Sequence, residues 1–216
     1  MPYPLPANTH RSPAEQALTA LQSPDCLLAL IERQLSPDLT AYLRGRQFSG
    51  CQPVDVTMPA GTDSEALECL LAAAGYPRHP GRTAMAADIA TLMDLVGNLP
   101  RTGSVRMRLE RVTTNACRFF HTDTLPLRLV CTYRGAGTEW LDDDACDRSG
   151  LGKGDNAKIC RDRSGIHRMP EGWAGLMKGN RWAGPAEGYP GGLVHRSPPL
   201  YPGEWRLFLS LDALPD

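Results

Sequence analysis

The chain predicts an α+β fold, with a helical N-terminal region over residues 1–103 packed on an all-β region over residues 104–216. Three observations predict it. Helix-start signals, a Ser or Thr followed by Pro or an acidic residue, recur through the first hundred residues. Near residue 104 the apolar spacing changes from three-and-four to strict alternation. Gly-containing turns punctuate the second half.

In the first region Ser12-Pro13-Ala14-Glu15 reads as a capping serine, a proline at the first helical position and a glutamate at the third. Ser23-Pro24 and Ser36-Pro37 repeat the start signal ahead of CLLALIERQL and LTAYLRGR. Thr62-Asp63-Ser64-Glu65 is a further capping box, and its helix stops at Gly75 with Pro77 beyond. Residues 83–97 place Met85, Ile89, Leu92 and Val96 on one helical face. Prolines and glycines at 50–61 and 75–81 read as separators.

In the second region SVRMRLE alternates Val105, Met107 and Leu109 with charged residues, the pattern of a half-buried strand. LRLVCTY (127–133) is apolar on both faces apart from Arg128, as an interior strand requires, and WAGLM (173–177) is a weaker strand. WRLFLSL (205–211) sets Trp205, Leu207, Leu209 and Leu211 on one face and Arg206, Phe208 and Ser210 on the other. Between them, residues 142–165 are polar and Gly-rich with DRSG at 147–150 and 162–165, which predicts a lid or a disordered insertion.

Composition narrows the function classes. The 216 residues carry a formal net charge of −1, so no global field favours nucleic acid or an anionic membrane. The basic residues are arginines apart from Lys153, Lys158 and Lys178. No run reaches the ~18 apolar residues of a membrane span, and MPYPLPANTHRSP lacks the basic-then-apolar order of a secretory leader. Seven cysteines without CxxC spacing argue against a disulfide framework. A cytoplasmic globular protein is the expectation.

The chemistry concentrates in FFHTDTLPLRLVCTYRGAGTEWL (119–141). Side chains at i and i+2 of an extended segment share a face, so His121 and Asp123 present an imidazole and a carboxylate together. That is half of a metal site, and Val194-His195-Arg196-Ser197-Pro198 offers a third donor in His195. Arg206 stands on the minority face of an aliphatic strand. If that strand belongs to a barrel covered by helices, its guanidinium points inward and needs an anion. Only Asp212 shares its face, at the far end, so a ligand carboxylate is the candidate partner.

An H-x-D pair, a distal His and an Arg about one strand later resemble the Fe(II)/2-oxoglutarate-dependent oxygenases, over roughly residues 104–212. The resemblance implies a double-stranded β-helix (a jelly-roll or cupin-like barrel) in the C-terminal region. It implies His121, Asp123 and His195 as ligands of Fe(II), and Arg206 as the anchor for the far carboxylate of the 2-oxoglutarate co-substrate. GAGTEW is similar to the turn after the H-x-D hairpin in prolyl-hydroxylase-like members. Many relatives carry Arg-x-Ser at the anchor, whereas position 208 is Phe; Arg128, Tyr133 and Ser210 are the candidates for the second co-substrate contact. The implied activity is hydroxylation or oxidative demethylation of a prime substrate for which the residues carry no signature. A non-catalytic cupin-like protein binding zinc or another divalent ion in the same triad is the alternative. At whole-chain level ACRFFHTDTLPLRLVCTYRGAGTEWL, KGNRW and HRSPP resemble a bacterial family known only as a domain of unknown function.

Other motifs point elsewhere. GLGKGD (150–155) has Gly where a phosphate loop needs Ser or Thr. Cys146, Cys160 and His167 fit no standard zinc spacing and read as loop thiols and a surface or supporting histidine. Cys117 and Cys131 flank the H-x-D pair and read as small buried hydrophobes able to approach a metal; His10 and His79 read as exposed.

Overall fold

The computed structural model describes residues 6–45, 48–99, 102–182 and 191–215. Arg46, at the end of the expected LTAYLRGR helix, and the first five residues of MPYPLPANTHRSP lie outside them. The elements follow as β1 (Thr9–Ser12), α1 (Ala14–Ala20), β2 (Leu28–Ile31), α2 (Pro37–Gly45), β3 (Val54–Pro59), α3 (Ser64–Ala73) and α4 (Pro80–Gly97). Then come β4 (Thr102–Val112), β5 (Leu127–Arg134), β6 (Glu139–Leu141), β7 (Ile166–Arg168), β8 (Ala174–Lys178), β9 (His195–Arg196) and β10 (Arg206–Pro215). Seven strands form a large sheet in the order β1-β2-β8-β5-β10-β4-β3, antiparallel except for β1 against β2. A small antiparallel sheet, β7-β6-β9, faces it.

Strand β10 pairs with β4 on one side and β5 on the other, which makes it interior to the sheet. Its alternation divides two compartments. Leu207, Leu209 and Leu211 are fully buried in one cluster with Met85, Ile89 and Met93 of α4. Burial of each such side chain contributes about 1.5–3 kcal/mol. On the opposite face Phe208 packs with Val130, Trp140 and Leu193 between the two sheets. Arg206, Ser210 and Asp212 share that inner face, and all three are buried.

The helices follow their signals with two adjustments. Met85, Ile89, Leu92 and Val96 are all buried on α4, whose N-terminus is capped by His79. Asp63, rather than Thr62, caps α3 by accepting from the Ala66 amide at 2.8 Å, and the chain turns away at Gly75 with φ 83°. Ser36 caps α2 through the Leu39 amide. The Ser12 capping box does not form: Ser12 ends β1, and Pro13 stands at the N-cap of α1 without a side-chain bond.

The expected order of helices first and strands afterwards is corrected, because three strands of the large sheet come from the first hundred residues. CLLALIERQL is not a helix. Its Leu28–Ile31 is β2, buried at every position between β1 and β8. A run buried on all sides has neither a two-residue nor a 3.6-residue period to read. β3 lies where a separator was expected. It is an edge strand with Pro59 at its last position, where the missing N–H is tolerated.

Residues 142–165 form an ordered segment rather than a disordered insertion. Short 3₁₀ turns at Arg148–Gly150, Asn156–Lys158 and Arg163–Gly165 each begin at an aspartate. The Asp147, Asp155 and Asp162 carboxylates accept from the amide two residues on. Both DRSG copies therefore encode the same capped turn. No helix among the described residues is long and apolar enough to cross a membrane.

Candidate metal centre

His121 and His195 exchange both backbone hydrogen bonds at 2.9 Å, which adds His121 to the free edge of the small sheet. His195 also lies opposite Trp140, and Trp140 opposite His167. The four side chains thus form one row on one face. The ligand atoms of His121, Asp123 and His195 lie within 4.8 Å of one another.

The hydrogen bonds of the imidazoles decide what the cluster can hold. Nδ1 of His121 bonds the Phe119 carbonyl at 2.9 Å, and Nδ1 of His195 bonds the Leu193 carbonyl at 3.0 Å. A carbonyl only accepts, so each Nδ1 carries the proton and each Nε2 is left with its lone pair when the ring is neutral. Burial pushes the His195 imidazole down to about 4, against the pull of Asp123 in the other direction. Asp123 Oδ2 is buried without a hydrogen-bond partner and lies 3.4 Å from His195 Nε2. Lone pairs facing one another at that distance repel unless a cation sits among them. Two imidazole nitrogens and one carboxylate oxygen are the donor set of a divalent transition metal, and the residues fit such an ion.

A chain of alternating charges fixes the carboxylate. Arg128 donates to Asp123 Oδ1 at 2.7 Å and, through its other nitrogens, to both oxygens of Asp212. Arg108 donates to Asp212 at 3.2 Å and to Ser210. Asp212 is 3 % exposed and satisfied by two guanidinium groups. With Oδ1 held by Arg128, Oδ2 is the oxygen left for the metal. The turn that carries Asp123 is clasped from outside. The Gly179 amide donates to the Pro126 carbonyl and the Asn180 amide to the Asp123 carbonyl. A Cβ on Gly179 would lie 2.0 Å from the Leu125 carbonyl oxygen, which accounts for the glycine in KGNRW.

A cavity of about 130 Å³ opens beside the cluster, lined among others by His121, His195, Arg128, Ser197, Arg206 and Ser210. Arg206 is 3 % exposed. Its Nη2 donates to the Ser197 hydroxyl at 2.9 Å and its guanidinium lies over the Phe208 ring, but Nε and Nη1 are buried without partners. No carboxylate among the described residues pairs with it, since Asp212 is occupied. Burial pushes the guanidinium down to about 10 despite the field of Glu110. Gly135 (φ 94°) lets the turn after β5 approach, because a Cβ there would lie 2.9 Å from Cβ of Arg206.

The structure therefore brings His121, Asp123, His195 and Arg206 to one site. Of the three candidates for a second co-substrate contact, Arg128 is engaged by carboxylates and Ser210 lines the cavity. Tyr133 is on the other face of β5 and donates to Asp88 at 2.6 Å under the helices. Ser197 is a site residue that sequence reasoning missed. Its signal is the i+2 spacing from His195, the same argument that pairs His121 with Asp123. Cys117, expected to be buried, is exposed with φ 53° and lines the cavity mouth; Cys131 is buried on the helical side. Cys146 and Cys160 lie opposite each other, while His167 pairs instead with Asp142 at 3.1 Å.

These features define an α+β protein with a two-histidine, one-carboxylate donor cluster between a large and a small sheet. The chain belongs to the DUF1826 family, described as a protein of unknown function, whose model matches residues 10–212. Among solved structures it is similar to the Fe(II)/(alpha)ketoglutarate-dependent dioxygenase TqaL, with a TM-score of 0.50 at 14 % identity over 92 % of this chain and 87 % of that one. That likeness shows a shared fold. A dioxygenase for auxin oxidation from rice also matches (TM-score 0.46, 14 % identity, 93 % and 76 % covered). So does the Kdo hydroxylase KdoO, a non-heme Fe(II) alphaketoglutarate dependent dioxygenase (0.43, 12 %, 97 % and 89 %). No curated protein matches the sequence.

Proposed function

We propose that this protein is a non-haem Fe(II)- and 2-oxoglutarate-dependent oxygenase built on a double-stranded β-helix, acting on a C–H bond by hydroxylation or oxidative demethylation. The observation that carries the reading is the pairing of two unsatisfied groups at one site. Asp123 Oδ2 lacks a cation and Arg206 lacks an anion. A metal chelated by one end of a 2-oxo dicarboxylate satisfies both, and a metal alone satisfies only the first.

In this reading His121, Asp123 and His195 hold the metal, which when bound supplies the coupling of dioxygen reduction to oxidation of co-substrate and prime substrate. Arg128 aims Asp123, and Asp212 holds Arg128 in place. The two backbone carbonyls fix the imidazole tautomers, so that neither ring needs to lose Nδ1–H to bind. Nε and Nη1 of Arg206 lie on different edges of the guanidinium, and each offers a charged N–H to the far carboxylate, with Ser197 beside it supplying the polar contact that Phe208 does not. His195 and Arg206 are themselves buried, and a low local dielectric strengthens their interactions with an opposite charge.

Anaerobic addition of Fe(II) and 2-oxoglutarate is expected to give a visible charge-transfer absorption, and admission of oxygen to yield succinate. Zinc or iron binding without either signal would put a cupin-like metal binder in place of the oxygenase.

A further inference from the structure

Cys146 and Cys160 are paired across two antiparallel segments that begin and end the 142–165 excursion. The flanking bonds run from the Asp147 amide to the Ile159 carbonyl at 2.6 Å and from the Arg161 amide to the Ala145 carbonyl at 2.8 Å. Those bonds straddle the cysteines, so the two form a non-hydrogen-bonded pair. In that position Cα atoms are about 4.5 Å apart and side chains lie on one face, inside the ~4.4–6.8 Å range that a disulfide spans. Both thiols belong to one apolar cluster with Phe120, Leu141, Ile159 and Val194. Both are free thiols, with Cys146 buried and Cys160 partly accessible.

What this segment touches gives the pair a role. Asn156, within the excursion, accepts from the Phe120 amide at 2.7 Å and donates to the Arg118 carbonyl at 2.9 Å. Phe120 and Val194 immediately precede His121 and His195. The excursion is thus packed against the backs of both histidine-bearing segments, and its base is the thiol pair.

We propose that Cys146 and Cys160 form a reversible disulfide that staples residues 142–165 and, through Asn156 and Phe120, stiffens the segment leading into His121. The oxidant is a low-molecular-weight disulfide such as oxidised glutathione. The more accessible Cys160 thiolate attacks it, releasing one glutathione thiol. Cys146 then displaces the second, so that two protons and two electrons leave the pair as the protein S–S bond forms. The proposal stands independently of the oxygenase reading.

The test equilibrates the full chain in glutathione buffers of increasing oxidation, followed by peptide mapping and amide-exchange mass spectrometry. A 146–160 cross-link with a mass loss of about 2 Da is expected, with a rise of about 6–12 °C in melting temperature from closing the loop. Amide exchange across residues 118–121 should slow by at least about threefold, an effect absent from Cys160→Ser. Reducing the wild type back with dithiothreitol should reverse all three changes, which keeps the test valid should the serine variant fold poorly. Glutathionylation of the exposed Cys69 and Cys117 while Cys146 and Cys160 stay reduced overturns the proposal. So does a cross-link that leaves exchange at 118–121 unchanged.

Discussion

Replacing Arg206 by methionine is expected to make the ligand-free protein more stable. The guanidinium is 3 % exposed, has two nitrogens without partners and is pushed down to about 10 by burial. At about 1.4 kcal/mol for each tenfold change in proton affinity, that depression corresponds to roughly 3 kcal/mol of penalty on the charged form. Methionine keeps much of the apolar stem and can place its sulfur against Phe208. It gives up the hydrogen bond from the charged guanidinium to Ser197, worth about 1.5–3 kcal/mol. The balance is a gain of up to about 1.5 kcal/mol, or up to about 5 °C in melting temperature for a chain of this size. Thermal melts of chelator-treated wild type and Arg206→Met measure it directly. With a divalent metal and 2-oxoglutarate at about 100 times its Kd, the wild type gains about 2.7 kcal/mol by mass action. The variant gains only what the metal supplies, so the order of the two melts reverses. If Arg206→Met melts below the wild type without ligands, the guanidinium is not an uncompensated charge and the argument for an anion site collapses.

Three further outcomes are expected. His121→Ala and Asp123→Ala should each lose most bound divalent metal by elemental analysis while retaining the wild-type circular dichroism spectrum; full occupancy in both would sink the ligand assignment. Asp212→Asn should cost about 3 kcal/mol in urea unfolding, because it strands Arg128 and Arg108 beside a neutral amide, and an unchanged midpoint would mean those bonds carry little. His195 gives a pH dependence: folded it titrates near 4, whereas an unfolded histidine titrates near ~6.5, so the unfolded chain takes up the proton first. Its contribution is intact above ~6.5 and is lost as pH falls toward 4. Between pH ~7.5 and ~5 the metal-free wild type should lose roughly 2 kcal/mol more than His195→Gln, and equal losses would contradict a neutral buried imidazole.

The site is more legible in the sequence than the fold around it. The pairing of His121 with Asp123 and the inward face of Arg206 can be read from the two-residue repeat of an extended chain, whereas His195 as their partner rests on the family resemblance. The same repeat, applied from His195, finds Ser197. Tyr133 cannot be placed that way because LRLVCTY is apolar on both faces, so the side of the sheet that each residue occupies is not encoded locally. β2 escapes sequence reasoning for the same reason, compounded by a Ser-Pro start signal that precedes a strand here. The excursion at 142–165 reads as loose because its polarity is visible, whereas its order comes from three aspartate-capped turns and the buried Ile159.

The two-sidedness of β10 has a consequence for how this chain tolerates change. Its leucines hold the helices, and the residues between them build the polar chamber. Substitutions along this strand should therefore sort into two phenotypes with a period of two. At 207, 209 and 211 abundance should fall along with any activity, whereas at 206 and 210 ligand binding can fail in a protein that still accumulates. A single-residue deletion near 209 would do neither cleanly. It would carry leucines into the chamber and a charge under the helices, so indels in this strand should be far less tolerated than point changes.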